Sequence, residues 1–351
     1  MKEKTKYINT MVRTLFKWVL VLLFAIISCT KRTSSDNIID LTDYRMIKES
    51  INLSEIPDYL PWVILSMEKV QEDQYIFLDF SQRSIFHLDT AKNQLHQIGS
   101  HGDGPGEYRN PVYFQSVGQD TIAFTDISNM ALNFIKSDGT FIKQIYHGLG
   151  GGKKFIINED KIFILGNLSA NTEQVNYQLT ILDQDGNKRN ELFPVKEIYE
   201  NQVKSFGTGD MAIIDDMLFL VNTTEPVIYM FNLNTGETDE VKPFDMTSEL
   251  FSMNDGYSLY KYSVAELREV YNEIVIFRGI GSVNLDGEKY IIVYGRKGKV
   301  HFSYFLDMDL TVKYYYSSNK MILGVSEDYI FEKEMNSTEG SIDLVTFSNF
   351  N

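Results

Sequence analysis

The sequence of 351 residues contains a single cysteine, Cys29. A chain with one thiol cannot form an internal disulfide, so its fold must be stable without one. A lone exposed thiol is also a liability outside the cell. The cysteine count therefore suggests that Cys29 carries a modification.

Basic residues are scarce as well. The chain has 33 Lys and Arg against 48 Asp and Glu, which gives a net charge of −15. Residues 1–28 hold five basic residues and one acidic residue, so removing them lowers the net charge to −19. Nucleic acids and anionic lipid headgroups both require clustered Lys and Arg. The composition predicts no nucleic-acid partner and no adhesion to anionic headgroups.

The N-terminal apolar run, WVLVLLFAII at residues 18–27, is too short for a membrane anchor. A helix needs about twenty residues to cross the hydrocarbon core of a bilayer. The run follows several basic residues and ends at the small Ser28. A positive segment, a short apolar run and a small residue are typical of a secretory signal.

The four residues Ile26-Ile27-Ser28-Cys29 resemble the bacterial lipobox. That resemblance implies cleavage before Cys29 and a diacylglycerol on its thiol, a modification that suits thiolate chemistry. We therefore expect a signal peptide at 1–28 and a polar, lipidated tether at 29–40 that attaches the chain to a membrane. The alternative is an ordinary signal peptide beside an accidental cysteine.

Tight-turn signals recur at a fixed spacing along the rest of the chain. Asp138-Gly139 and Asp185-Gly186 lie 47 residues apart between alternating apolar runs, and Asn234-Thr235-Gly236 follows at a similar distance. Such sequences supply the positive φ angles that hairpin turns need. A period of 40 to 50 residues with four short strands is the signature of a β-propeller blade.

The blade pattern is clearest between 112 and 146, where VYFQSV, TIAFTD, ALNFIK and TFIKQIY follow one another. Counting equivalent segments gives six blades. We predict an all-β fold, a six-bladed propeller of four-stranded antiparallel blades over residues 41–351. A pair of β-sandwiches is the competing architecture, but it would not explain the near-constant period.

The segment QIGSHGDGPGEYRNP at 97–111 resembles the start of an NHL repeat, and the likeness continues through Thr125-Asp126 and LNFIKSDGTF. Together with the lipobox, it implies an NHL-like or TolB-like propeller lipoprotein of bacteria with two membranes. The resemblance is specific at 97–146. From 154 onward it is architectural only.

Three glycines in this segment could suggest a cofactor loop. A phosphate-binding loop joins a strand to a helix N-terminus, whereas both flanks here have strand patterns. We therefore expect a structural turn between blades and no cofactor. The residues concerned are Gly102, Gly104, Pro105, Gly106 and Glu107.

An insertion at about 246–272 interrupts the blade rhythm. Ser263 and Glu266 have the spacing of a helix capping box. Binding loops concentrate on rigid scaffolds, and aromatic rings with polar edges suit sugars, peptides and protein surfaces. The segment is the candidate ligand-binding region, although a helix that only caps the propeller is an equal alternative. Its candidate residues are Phe251, Tyr257, Tyr260, Tyr262 and Tyr271.

The last blade is one strand short, because the chain stops at Asn351 after only three strand patterns. Upstream, Tyr44–Leu53 alternates like a strand that no other blade needs. An open sheet edge would offer unpaired backbone groups to other chains. We therefore predict that Tyr44–Leu53 forms the outer strand of blade six and closes the ring.

Motifs for chemistry are missing. The chain has five histidines and neither HExxH nor Gly-x-Ser-x-Gly. His101 and His147 lie about one repeat apart, which leaves a metal site between them as an alternative. We expect no catalytic residues. We expect a non-enzymatic binding or scaffolding lipoprotein of the outer membrane, whose propeller binds a glycan, a peptide or an envelope protein. The alternative is a propeller hydrolase or lyase with a divalent metal in its funnel.

Overall fold

The computed structural model describes residues 38–56, 59, 63–118, 120–147, 149–150, 154–165, 168–169, 177–197, 209–244, 262–334 and 340–347. Cys29 and most of the predicted tether lie outside these residues. The same holds for Phe251, Tyr257 and Tyr260 of the insertion. Residues 39–351 form one compact unit.

The chain is built almost entirely of strands, with one short α-helix. Two strands come before the first blade: β1 (Ile39–Asp40) and β2 (Arg45–Asn52). Blade one contains β3 (Ile64–Gln71), β4 (Gln74–Asp79), β5 (Ser84–Asp89) and β6 (Gln94–Ile98). The short β7 (Ser100–His101) and β8 (Glu107–Tyr108) follow, and then blade two with β9 (Pro111–Val117), β10 (Thr121–Asp126), β11 (Ala131–Lys136) and β12 (Phe141–Tyr146).

The later blades follow the same order. Blade three contains β14 (Phe155–Asn158), β15 (Lys161–Leu165), β17 (Tyr177–Asp183) and β18 (Lys188–Pro194), accompanied by the short pair β13 (Leu149–Gly150) and β16 (Leu168–Ser169). Blade four contains β19 (Asp210–Ile214), β20 (Met217–Val221), β21 (Ile228–Asn232) and β22 (Thr238–Val241).

Helix α1 (Val264–Glu269) precedes blade five, which contains β23 (Ile276–Leu285), β24 (Glu288–Lys297), β25 (Val300–Leu306) and β26 (Val312–Ser318). Blade six contains β27 (Lys320–Val325), β28 (Ile330–Glu334) and β29 (Ser341–Phe347). Two single-turn 3-10 helices, Thr42–Tyr44 and Leu53–Glu55, flank β2.

Six blades, each with four antiparallel strands, are arranged in a ring, so the predicted six-bladed β-propeller is confirmed. In each sheet the strands pair in order from the innermost to the outermost. The predicted hairpin turns also form. Gly139, Gly186 and Gly236 have φ angles of 88°, 87° and 76°, which is the region that such turns require.

Apolar side chains from facing sheets form the core between neighbouring blades. Between blades one and two, Leu78 and Ile85 pack with Phe114 and Phe124, and all four are buried. Strands in the middle of a blade are buried along nearly their whole length, as in β4 and β10. Because each blade covers its neighbour, no blade is complete without the ring.

Strand β2 closes the ring. It pairs antiparallel with β29, from Arg45 opposite Phe347 to Asn52 opposite Ser341, and so supplies the outer strand of blade six. This confirms the predicted N-terminal closing strand, within the bounds Arg45–Asn52. The two strands come from opposite ends of the chain, so the pairing joins its beginning to its end.

An ionic network reinforces the closure. Nε and Nη2 of Arg45 donate to Oε2 of Glu332 at 3.1 and 2.9 Å, and Nη2 also lies 3.2 Å from Oδ2 of Asp343. The Glu332 side chain is fully buried and accepts a further hydrogen bond from Tyr316 at 2.7 Å. Lys320 donates to Asp343 at 2.5 Å.

Blade five has a fifth strand that the sequence did not reveal. Residues Ile39 and Asp40 form β1 and pair in parallel with Tyr314 and Tyr315 of β26. The last two residues of the predicted tether therefore belong to a sheet. Two residues are too few to show an alternating pattern, which explains why this strand was missed.

We predict that Arg45→Met lowers the free energy of unfolding by about 3 kcal/mol, since it leaves the buried Glu332 without its cation. Lys48→Met is the matched control, because Lys48 is exposed on the same strand. Urea unfolding of both variants is the measurement. Equal stability of the two variants would show that the ion pair does not secure the closing strand.

Candidate functional site

The six innermost strands surround a central channel with a cavity of about 980 Å³. The cavity is lined by residues of all six innermost strands, β3, β9, β14, β19, β23 and β27. Every blade contributes to its wall, so the cavity exists only in the closed ring. Concave sites of this size are the usual places for ligands in proteins.

The two ends of the channel differ in the connections that surround them. At the end where the innermost strands finish, the hairpin turns have two to five residues. At the end where those strands begin, the chain passes from one blade to the next, and the described residues of these connections include 99–110, 195–197 and 262–275. We call this second end the mouth, defined by the lining residues Leu65, Phe80, Asn110, Ile127 and Arg278.

The mouth has a partly apolar rim on blade one. Val63, Leu65 and Phe80 are 43%, 40% and 47% exposed, and the backbone N–H of Phe80 donates to the carbonyl of Val63 at 2.8 Å. Exposed apolar side chains grouped beside a cavity mark a surface that can bind a partner.

Buried polar side chains hold the turns of the mouth in place. Oδ1 of Asp79 accepts a hydrogen bond from the backbone of Ser81 at 2.9 Å. Asp126 accepts one from the backbone of Arg109 at 2.9 Å, in the connection that enters blade two. Asn222 has the same position in blade four, at the end of the second strand. Side-chain caps of this kind replace missing backbone partners in turns.

Polar groups of the channel wall are paired across blades. Lys154 precedes β14 and forms an ion pair with Asp210 at the start of β19. Oδ2 of Asp210 also accepts the backbone N–H of Ile280 at 3.1 Å. Burial alone would lower the pKa of Lys154, but the Asp210 carboxylate raises it above its ordinary value. This pair therefore joins blades three, four and five.

Similar contacts continue around the wall. Oε2 of Glu68 accepts the backbone N–H of Ser116 at 3.1 Å, and Oε1 of Gln115 accepts that of Ile157 at 3.0 Å. Burial raises the pKa of Glu68, although its hydrogen bonds with Ser116 oppose the rise. Blades one to five are thus tied in sequence by side chains of the innermost strands.

Tyr294 reaches the cavity from the second strand of blade five. It lies opposite Gly279 of β23, and a Cβ atom on that glycine would lie 1.9 Å from Cζ of its ring. The missing side chain therefore makes room for the tyrosine to pass across the innermost strand. Tyr294 and Tyr113 both line the cavity, and burial raises the pKa of Tyr113 to about 12.

The described end of the insertion packs against blade five. The capping box of α1 is confirmed: Ser263 accepts from the backbone of Glu266, whose side chain accepts from the backbone of Ser263. Tyr262 is half-buried against the apolar cluster that contains Leu267. The hydroxyl of Tyr271 accepts a hydrogen bond from Nη2 of Arg278 at 2.9 Å, which places it beside the mouth.

The glycine-rich segment lies between β6 and β9 and leads into a strand. Oε2 of Glu107 accepts the backbone N–H of Gly104 at 2.7 Å, and a Cβ on Gly102 would overlap that carboxylate. Gly106 has a φ of 80°, and the exposed Pro105 precedes it. The structural role predicted for these residues is consistent with this geometry and stays a prediction.

The histidines do not gather into a metal-ligating group. His101 lies 3.1 Å from Oγ of Ser84 and packs against Tyr108. His87 and His96 face each other across β5 and β6, with ring centroids 4.7 Å apart. Within the part of the chain that the structure describes, no three His, Cys, Asp or Glu side chains could share a metal ion.

Four residues of the cavity wall were not predicted from the sequence: Lys154, Asp210, Tyr294 and Arg278. Aligning the first residues of the innermost strands would have brought Lys154 and Asp210 to neighbouring positions in consecutive blades. Arg278 is the extra residue of a β-bulge between Phe277 and Gly279. A bulge interrupts the alternation on which sequence assignment depends.

Comparison with known proteins gives structural neighbours but no family. No protein-family profile and no curated protein matches the chain. An exported protein from Bacteroides fragilis has a TM-score of 0.63 at 14% identity, covering 89% of this chain and 97% of that one. A DUF4221 family member from Bacteroides vulgatus has a TM-score of 0.56 at 10% identity, with coverages of 87% and 97%.

A third neighbour is an inactive variant of virginiamycin B lyase from Staphylococcus aureus. Its TM-score is 0.51 at 13% identity, covering 84% of this chain and 83% of that one. The likeness is one of fold. Among the described residues, no helix is long and apolar enough to cross a membrane.

We predict that Gly279→Ala lowers the free energy of unfolding by about 2 kcal/mol, because the added methyl group overlaps the ring of Tyr294. Gly281→Ala is the control on the same strand, since its Cβ would lie 3.5 Å from Val325, an ordinary contact. Urea unfolding compares the two. Equal losses would mean that Tyr294 does not depend on the gap at Gly279.

Proposed function

We propose that this chain is an exported, lipid-anchored binding protein of the bacterial cell envelope. Its propeller holds a glycan, peptide or protein partner at the mouth of the central channel. One observation carries the proposal: a cavity of about 980 Å³ on the ring axis opens among exposed apolar side chains. The acidic composition supports a partner other than nucleic acid.

Rigidity of the wall supports binding at this place. Contacts such as Lys154 with Asp210 and Glu68 with Ser116 fix neighbouring blades relative to one another. A preformed site loses little conformational freedom when a ligand binds. Described parts of the connections between blades, such as 99–110 and 262–275, lie at the mouth, and connections on a rigid scaffold are where binding residues concentrate.

Export and anchoring rest on the N-terminal sequence. The short apolar run and the lipobox-like Ile26–Cys29 support cleavage and lipidation, and the structural neighbour from Bacteroides fragilis is described as an exported protein. We propose the outer membrane as the location of the anchor, with residues between Cys29 and Ile39 as the tether.

The anchor is tested by Cys29→Ala, which removes the thiol that would carry the lipid. We expect the variant to lose incorporation of labelled fatty acid and to leave the membrane fraction, since the apolar run alone is too short to hold it. Ser35→Ala in the tether serves as the control. Retention of Cys29→Ala in membranes would contradict the lipoprotein assignment.

The binding site is tested by screening the full-length protein in non-ionic detergent against glycan and peptide arrays. Phe80→Ser should weaken about tenfold the binding of a ligand that the arrays identify, because the substitution removes a large apolar contact at the mouth. Phe141→Ser is the matched control, an exposed phenylalanine on the outer strand of blade two.

Two outcomes would contradict the proposal. Equal losses for Phe80→Ser and Phe141→Ser would place the site away from the mouth. Chemical conversion of the array ligand during prolonged incubation would instead support the alternative function, a hydrolase or lyase. Recovery of the ligand unchanged is the result expected of a binding protein.

A further inference from the structure

Two arginines of blade five lie beside the mouth. Arg278 is the bulged residue of β23; its side chain is exposed and lines the cavity. Arg296 on the neighbouring strand β24 is only 9% exposed. Tyr271 lies between them: its hydroxyl accepts from Arg278 at 2.9 Å, and its ring centroid is 4.0 Å from Cζ of Arg296.

Neither guanidinium has an acidic partner among the described residues. By contrast, Arg45, Arg109 and Arg189 each form an ion pair with a carboxylate. The polar contact recorded for Arg296 is a hydrogen bond from Nη1 to the carbonyl of Gly298 at 2.9 Å. Among the residues that the structure describes, two positive charges therefore stand together without an acidic partner, in a chain of net charge −15.

The groups next to Arg296 do not offset its positive charge. Among the described residues, Nε of Arg296 and Nε2 of His301 are buried and have no hydrogen-bond partner. His301 lies opposite Arg296 on β25. Burial and the two nearby arginines lower the pKa of His301 to about 4, so its ring is neutral at neutral pH. A buried cation without a counter-charge is unfavourable, and the described protein supplies none here.

We propose that Arg278 and Arg296 form a binding site for an oxyanion, a carboxylate or a phosphate group, on the ligand held at the mouth. This inference rests on the proposed binding function and adds the chemical class of its ligand. Arg278 contacts the anion from the cavity wall, and Arg296 adds positive charge from behind. Arginine is well suited to both anions, since its planar guanidinium can donate two parallel hydrogen bonds.

Tyr271 is a positioning residue in this arrangement. Its ring packs on the guanidinium of Arg296, a favourable cation–π contact, and its hydroxyl holds one nitrogen of Arg278. The remaining donors of Arg278, Nε and Nη1, make no hydrogen bond within the described residues. The insertion therefore brings an aromatic residue to the site, and blade five supplies the charge.

The test is calorimetric titration of the full-length protein in non-ionic detergent at low ionic strength. One arm uses a galacturonate trisaccharide with its uncharged methyl ester as the matched probe, and the other uses inorganic phosphate. We expect at least one anion to bind and the ester to bind about tenfold more weakly than the acid. Added salt should weaken binding, because it screens the charges.

Variants locate the site. Arg278→Gln and Arg296→Gln should each weaken binding of the anion about tenfold. Arg189→Gln removes the same charge from the outer strand of blade three and should change binding less than about twofold. If binding is lost equally in all three variants, the attraction is a general charge effect and the proposed site is wrong.

A second readout separates the site from a purely structural arginine pair. Phosphate or the trisaccharide should raise the melting temperature of the wild-type protein but not of Arg296→Gln, because only a ligand of the folded state stabilises it. If neither anion shifts the wild type, while an uncharged array ligand still depends on Phe80, the oxyanion site is overturned and the binding function stands. Absence of any ligand dependent on Phe80 would overturn the binding function itself.

Discussion

The pairing of β2 with β29 is the constraint on which the rest of the structure depends. Without it, blade six would end in an open strand edge, and the sixth position of the ring would lack its outer strand. The buried Glu332 favours this pairing, since Arg45 of β2 forms an ion pair with it. Closure joins β2 to β29, the last strand that the structure describes.

Closure also creates the candidate site. The cavity is lined by all six innermost strands, and its polar residues find their partners on neighbouring blades, as Lys154 does on Asp210. The same packing lets Tyr294 cross the innermost strand at Gly279. The two arginines of blade five differ from these paired groups, because no described residue forms an ion pair with either of them.

Much of the fold could be predicted from local sequence, because hairpin turns such as Asp138-Gly139 and period-two alternation are local features. The closing strand was predictable because a ring with three strands in its last blade needs a fourth. The candidate site was harder to predict from the sequence. Tyr271 stood out by its aromatic character, but Arg278 lies at a bulge and Lys154 pairs across blades, and neither relation is visible along the chain. The two-residue β1 was missed for lack of length.

Hydrogen exchange of the closing strand tests the central claim most directly. If the ring is closed as described, the amides of β2 that bond to β29 should exchange only by global unfolding, with the same opening free energy as the amides of β28. Mass spectrometry or NMR of the intact chain across a urea series gives both values. Exchange of β2 at the rate of an unprotected peptide, while β28 stays protected, would show that the ring is closed in some other way.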